Sequence, residues 1–172
     1  MVNRTMPITD KYFRYVVTWV LFGGLGTFLF WQWNWVYASI CLVVAFLVTF
    51  GVDILFLFIV KQKVKAIVNE KPKLIVDAVR IRMEKRGYLV ITNGFVLFVP
   101  IFRKIKTVIE ADQIVRFEVE RVLVEITARF PNQYRTFSYN VLSTKKVSQA
   151  LQDLTGETFP YKYEKLENKS LS

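Results

Sequence analysis

The pattern of apolar and polar positions divides the chain in two. From Tyr15 to Val60 runs a stretch of 46 residues in which Asp53 is the one charged side chain. A helix of about 20 apolar residues crosses the hydrocarbon of a bilayer, so this stretch predicts a hairpin of two membrane helices, at 15–31 and 35–60. The segment Trp31-Gln32-Trp33-Asn34-Trp35, with Tyr37 close behind, separates them. Trp and Tyr favour the headgroup boundary, where the ring is buried and its polar atom stays wet, so the turn is expected at one face of the bilayer. A cleaved signal peptide is not expected: there is no small-residue cleavage site, and a second long apolar run follows at once.

Beyond Lys61 the period changes. Residues 61–71 mix Lys61, Lys63 and Lys65 with Val64, Ala66, Ile67 and Val68, as in a helix leaving a membrane. Lys71-Pro72-Lys73 disfavours further helix and sets a boundary at Pro72. From there to residue 158 the pattern is that of strands. The runs Tyr88–Thr92 and Phe95–Val99 flank Asn93-Gly94, a pair suited to positive φ at both turn positions, which predicts a hairpin with a type I′ turn. Leu74–Met83 supplies an opening strand; Ile105–Ile109, Ile114–Val119, Leu123–Phe130 and Tyr134–Tyr139 follow, the last two turning through Pro131-Asn132-Gln133. One amphipathic helix closes the series. Its cap is expected at Ser143, its buried face at Val147, Ala150, Leu151 and Leu154, and its end at Gly156. Residues 159–172 read as a polar, frayed tail.

The expected fold is thus a membrane α-helical hairpin, preceded by an N-terminal segment 1–14, plus a β-rich domain of six to seven antiparallel strands and one C-terminal helix. Gly87–Thr155 resembles a pleckstrin-homology-like (PH-like) domain of the GRAM and bacterial PH type. The residues that carry the resemblance are Gly87-x-Leu89-x-Ile91-Thr92-Asn93-Gly94, the step Ile109-x-x-x-Gln113-Ile114, and the final helix. It implies a curved pair of sheets closed at one end by the helix; bacterial members are often fused to two transmembrane helices. These motifs are fold signals and mark no ligand site.

Charge orients the hairpin. Lys and Arg number 24 against 14 Asp and Glu, a net charge of +10. Arg4, Lys11 and Arg14 precede the first helix, Lys61, Lys63 and Lys65 follow the second, and the turn has none. Positive charge stays on the cytoplasmic side, so both termini and the β domain are expected there, in a multi-pass protein of the cytoplasmic membrane. Further cations cluster at Arg80/Arg82/Lys85/Arg86 and at Arg103/Lys104/Lys106. An anionic inner leaflet is the nearest partner for such charge, so no nucleic acid is expected; a solvated face that aids solubility is the alternative for the last two clusters. Pro100 is expected to break its strand, which leaves Ile101 and Phe102 either on an exposed loop that dips into lipid or engages a partner, or folded back into the domain core. The membrane-interface candidates are therefore Lys61, Lys63, Lys65, Ile101, Phe102, Arg103, Lys104 and Lys106.

Within the hairpin, Gly23, Gly24 and Gly26 permit close helix approach, either to the second helix or to another protein or a second copy. Asp53 is open to two readings: a structural ion pair or solvated carboxylate near the headgroups and the Arg14 end of the first helix, or ion and proton handling. No catalytic constellation is legible. The chain has no His and one Cys, Cys41, which removes the commonest general base and excludes a structural zinc site. Neither a Gly-rich phosphate loop nor a nucleophile motif is present. Glu118, Glu120 and Glu125 are expected to face solvent. The expected function is non-enzymatic, with no cofactor and no metal: an adaptor or accessory subunit that positions a membrane complex or senses the inner leaflet, with another membrane protein or a homo-oligomer as partner. Self-protection against membrane-active peptide toxins and a small oligomeric pore are the alternatives, the former implied by resemblance alone.

Overall fold

The computed structural model describes residues 7–81, 85–101, 104–105 and 107–156, with side chains from residue 12 onward except that of Lys85. Two long helices lead. The first covers residues 7–31, and its Tyr12–Trp31 part is long and apolar enough to cross a membrane. Asn34, in extended conformation, caps the second through its side-chain oxygen, which accepts from the Val36 amide. That helix runs unbroken from Trp35 to Val68, about 50 Å at 1.5 Å per residue. The sequence suggested a division at residue 60; the structure has none, because Lys61–Val68 simply continues the helix. It stops where Asn69 turns left-handed, at φ 54°, a conformation Asn tolerates better than most residues.

One face of the second helix explains how the halves join. Toward its start it presents Ala38, Ala45 and Thr49, all buried, and these small side chains admit the first helix. The Thr49 hydroxyl donates back to Ala45 O at 2.7 Å, which satisfies it in an apolar seam. A Cβ on Gly26 would lie 3.3 Å from Cys41 Sγ, so Gly26 faces the second helix; one on Gly23 would meet the Trp19 ring at 2.6 Å, so Gly23 makes room for an indole of its own helix.

Seven antiparallel strands follow: β1 (Leu74–Arg80), β2 (Lys85–Ile91), β3 (Phe95–Pro100), β4 (Thr107–Glu110), β5 (Ile114–Glu120), β6 (Leu123–Phe130) and β7 (Gln133–Val141), with a helix at Thr144–Thr155. The sheet order is β4-β3-β2-β1-β7-β6-β5. The strands and the closing helix are those the sequence predicts, joined in one continuous sheet where the resemblance implied a pair. The interior cluster joins Val76, Ala78, Leu89, Ile91, Val96, Phe98 and residues of β4–β7 to Val147 and Leu151 of the closing helix. Gly156, at φ 69°, ends that helix. Ser143 stands at its start but makes no side-chain cap; Thr144 is tied instead, its hydroxyl donating to Arg121 O.

The opposite face of β2 and β3 is buried as well. Tyr88, Val90, Leu97 and Val99 form a second cluster with Val60 and Val64 of the second helix, joined at its margin by Phe56, Val68 and Ile75. Strands covered on both faces read as continuous apolar runs, which is why Leu89–Ile91 and Val96–Val99 show little alternation. Gly87 is required by this packing: a Cβ there would lie 2.4 Å from Val99 O.

The turn at Asn93-Gly94 differs from the expected type I′. Neither residue has positive φ. The Glu70 carboxylate, just past the end of the second helix, accepts from both turn amides at 3.1 Å. The Phe95 amide donates to the Thr92 hydroxyl at 3.0 Å, and the Thr92 amide to Phe95 O at 2.9 Å. An external carboxylate has set the turn conformation, a tertiary effect that a dipeptide cannot encode.

Candidate functional site

The strand pairing gathers the basic segments at one end of the β1–β4 half. Arg80 pairs with Lys85, Gly87 with Pro100 and Phe98 with Thr107. The β1–β2 and β3–β4 connections therefore lie at the same end, opposite the Asn93-Gly94 turn. The second helix crosses the outer face of β2 and β3 between these ends. At the connection end, Lys63 Nζ approaches Ile101 O within 3.5 Å; at the other, Glu70 holds the turn. Lys63 follows the exposed apolar Phe58 by five positions, about 7.5 Å of helix. Ile101, at the start of the β3–β4 connection, thus sits beside the border where the apolar helix surface gives way to Lys61.

At this end Lys61, Lys65 and Lys104 are exposed and Lys63 is half-buried. Ile101 is half-buried too, and with Ile105 it packs on the cluster beneath the second helix. It folds back, then, but against the outer cluster and not into the interior cluster beneath the closing helix. Pro100 does not interrupt β3; it is buried as its last residue. Phe102, Arg103 and Lys106, like Arg82, lie outside the described residues.

Arg80 belongs elsewhere. It shares the inward face of β1 with Val76 and Ala78, donates from Nη1 to the Thr107 hydroxyl at 2.9 Å and lies 5.1 Å over the Phe137 ring. Nearby, Tyr139 is fully buried and stacks on Phe98 at 5.4 Å between centroids. Its hydroxyl has no hydrogen-bond partner among the described residues, and burial pushes its ionisation well above the ordinary phenol range, opposed only by the charge of Arg80. Sequence reading passed over this residue; period two places it inside, but nothing local marks an unpartnered hydroxyl.

Asp53 lies between the helices. Its carboxylate pairs with Arg14 Nη2 at 2.5 Å and also accepts from the Tyr15 hydroxyl. Counted from Trp31 and Trp35, Arg14 and Asp53 stand 17 and 18 residues along their helices, so both sit about 26 Å from the turn. Trp31, Trp33 and Trp35 at that turn are exposed, Trp33 by 82%.

Glu70 was not singled out by sequence. Hydrogen bonding from Thr92, then from the Gly94 and Asn93 amides, and the charge of Lys73 hold its carboxyl below the usual range, against a partial desolvation that acts in the other direction. On the β5–β6 outer face, Glu118 stands opposite Glu125. Glu118 pairs with Arg116, and Glu125 accepts from the Ser138 hydroxyl at 2.8 Å, which eases two like charges placed side by side.

No protein-family model matches the chain, and no curated protein does. Among solved structures, it is similar to the C-terminal domain of an unknown protein from Leishmania infantum, at 18% identity over 58% of this chain and 96% of that one, with a TM-score of 0.49. It is also similar to the FERM and C-terminal domain complex of Drosophila Merlin (9% identity, 48% of this chain, 28% of that one, TM-score 0.42). A third is the C-terminal phosphotyrosine interaction domain of mouse APBB2 (10% identity, 44% of this chain, 60% of that one, TM-score 0.40).

Proposed function

We propose that this chain is a non-enzymatic membrane protein that holds a PH-like domain against the anionic inner leaflet, as an adaptor or accessory subunit of the bacterial PH-like kind its sequence resembles. In this reading residues 12–58 form a hairpin across the cytoplasmic membrane, with both termini and the sheet on the cytoplasmic side. Little of the apolar helices is buried by the rest of the chain: 6% of the most apolar 18-residue stretch of the first and 17% of that of the second. A core helix of a soluble protein would be mostly covered, and surface this apolar needs lipid.

The observation that carries the proposal is the placing of exposed Lys61 and Lys65, and of Lys63 beside Ile101 O at the start of the β3–β4 connection that carries exposed Lys104, next to the border of the apolar helix surface. Each cation close to an anionic bilayer contributes about 1 kcal/mol of attraction, screened over about 8 Å at physiological salt. The pairing of Asp53 with Arg14 and Tyr15 inside the hairpin argues against a pore lined by that carboxylate, since a neutralised pair offers a cation little.

The test places the full-length protein in nanodiscs containing a trace of anionic phospholipid bearing an acceptor dye, with a donor dye on Gln62→Cys in a Cys41→Ser background. Energy transfer above that of a zwitterionic acceptor lipid is expected at low salt. It should fall at high salt and on replacing Lys61, Lys65, Arg103, Lys104 and Lys106 with Ser. Equal transfer from both acceptor lipids would reject lipid contact and leave a protein partner as the reading of this end.

A further inference from the structure

We propose that the second helix and the sheet form one rigid lever, so that a change in the tilt of the hairpin moves the basic end of the domain toward or away from the lipid headgroups. This rests on the membrane reading above and adds a response to bilayer thickness.

Three joints where such a molecule usually bends are closed here. The first lies between the helices. Arg14 and Tyr15 hold Asp53 from across the hairpin, and Gly26 lies against Cys41 further along. The second lies where the helix leaves the apolar zone. No linker interrupts Trp35–Val68, and Phe56, Val60, Val64 and Val68, spaced four apart, pack on Tyr88, Val90, Leu97 and Val99. The third lies between helix and sheet. The connection is short, from Asn69 to Lys73, and Glu70 within it holds the Asn93 and Gly94 amides while the Lys73 amide donates to Ile91 O at 2.8 Å. The Pro7–Thr18 part of the first helix also comes close to β1. A sheet that needs the helix as its second cover cannot swing on it without exposing that cluster.

Helices longer or shorter than the local hydrocarbon adjust chiefly by tilting. A group held to one side of a tilting helix moves along the bilayer normal by its offset times the sine of the angle, so each added 10° shifts a loop packed about 10 Å from the helix axis by about 2 Å. With an attraction that decays over about 8 Å, a 2 Å shift changes the potential felt by a cation by about a fifth.

The test uses the full chain in nanodiscs of short-chain and long-chain phosphatidylcholine, each with the same fraction of phosphatidylglycerol. Spin labels on Gln62→Cys and Gln152→Cys, in a Cys41→Ser background, report the helix–sheet distance. A fluorophore on Lys104→Cys with a headgroup-bound quencher reports the distance of the loop from the bilayer. A single narrow distance distribution, identical in both lipids, with quenching that differs between them, is the expected result. A broad distribution, or one that changes with chain length, would overturn the lever by showing a hinge. Identical quenching in both lipids would overturn the coupling to thickness. Neither readout depends on lipid charge, so failure here is distinct from failure of the lipid-contact reading.

Discussion

Val64 separates a domain on a tether from a domain that shares its core with the long apolar helix. Its side chain is fully buried against Tyr88, Val90, Leu97 and Val99. Replacing it with Ala removes two carbons from a dry contact. At about 0.8 kcal/mol each, the transfer term is about 1.6 kcal/mol. The cavity left behind adds about 1 kcal/mol, while the better helix propensity of Ala returns about 0.5 kcal/mol. The net expectation is a loss of about 2 kcal/mol. Ile67 on the same helix is 51% exposed, so Ile67→Ala is a matched control expected to cost under about 0.5 kcal/mol. Intrinsic fluorescence is a poor assay, because all four Trp lie in the hairpin. Hydrogen exchange of the full-length protein in mild detergent is suitable, read at the β2 and β3 amides. Val64→Ala should speed exchange there about 30-fold if those amides open with the domain. Exchange unchanged in Val64→Ala, or equally faster in Ile67→Ala, would refute the shared core.

Further expectations follow from single residues. Gly87→Ala should destabilise the domain by more than about 2 kcal/mol, since a Cβ 2.4 Å from Val99 O forces β2 and β3 apart; an unchanged melting temperature would count against the register. Tyr139→Phe removes a buried hydroxyl with no partner among the described residues while keeping the ring stack, so thermal denaturation should show equal or higher stability, by up to about 1 kcal/mol. Glu70 is held below its ordinary value of 4.5, so the stability it contributes is complete above pH 4.5 and is lost as pH falls through its lower folded value. Comparing acid unfolding of wild type and Glu70→Gln should show the two curves converging in that window, and curves parallel throughout would contradict the latch.

Much of the fold is legible because the governing signals are local. The apolar run, the Trp cluster and period two each report a residue's immediate surroundings, and Gly156 sits at a position that favours glycine for its own backbone. What was not legible depends on distant partners. The stripe Phe56-Val60-Val64-Val68 is visible in the letters, but only the bare outer face of β2 and β3 gives it a purpose. Asn93-Gly94 has the composition of one turn and adopts another because Glu70, 23 residues earlier, supplies an acceptor. The basic residues were countable, yet their division between Arg80 on the inward face of β1 and exposed Lys104 between β3 and β4 required the sheet register. The expected break at Pro100 left Ile101 between core and loop, and neither alternative included a second apolar cluster beneath a helix.

The most direct test of the account is the side of the membrane each part occupies. Single cysteines at Gln32 in the turn and at Gln152 in the closing helix, in a Cys41→Ser background, would be probed in intact cells with an impermeant thiol reagent. The account predicts labelling of Gln32→Cys from outside and of Gln152→Cys only after the membrane is permeabilised. Labelling of Gln152→Cys in intact cells would place the sheet on the other side, away from the leaflet its cations are proposed to meet, and would contradict the central claim.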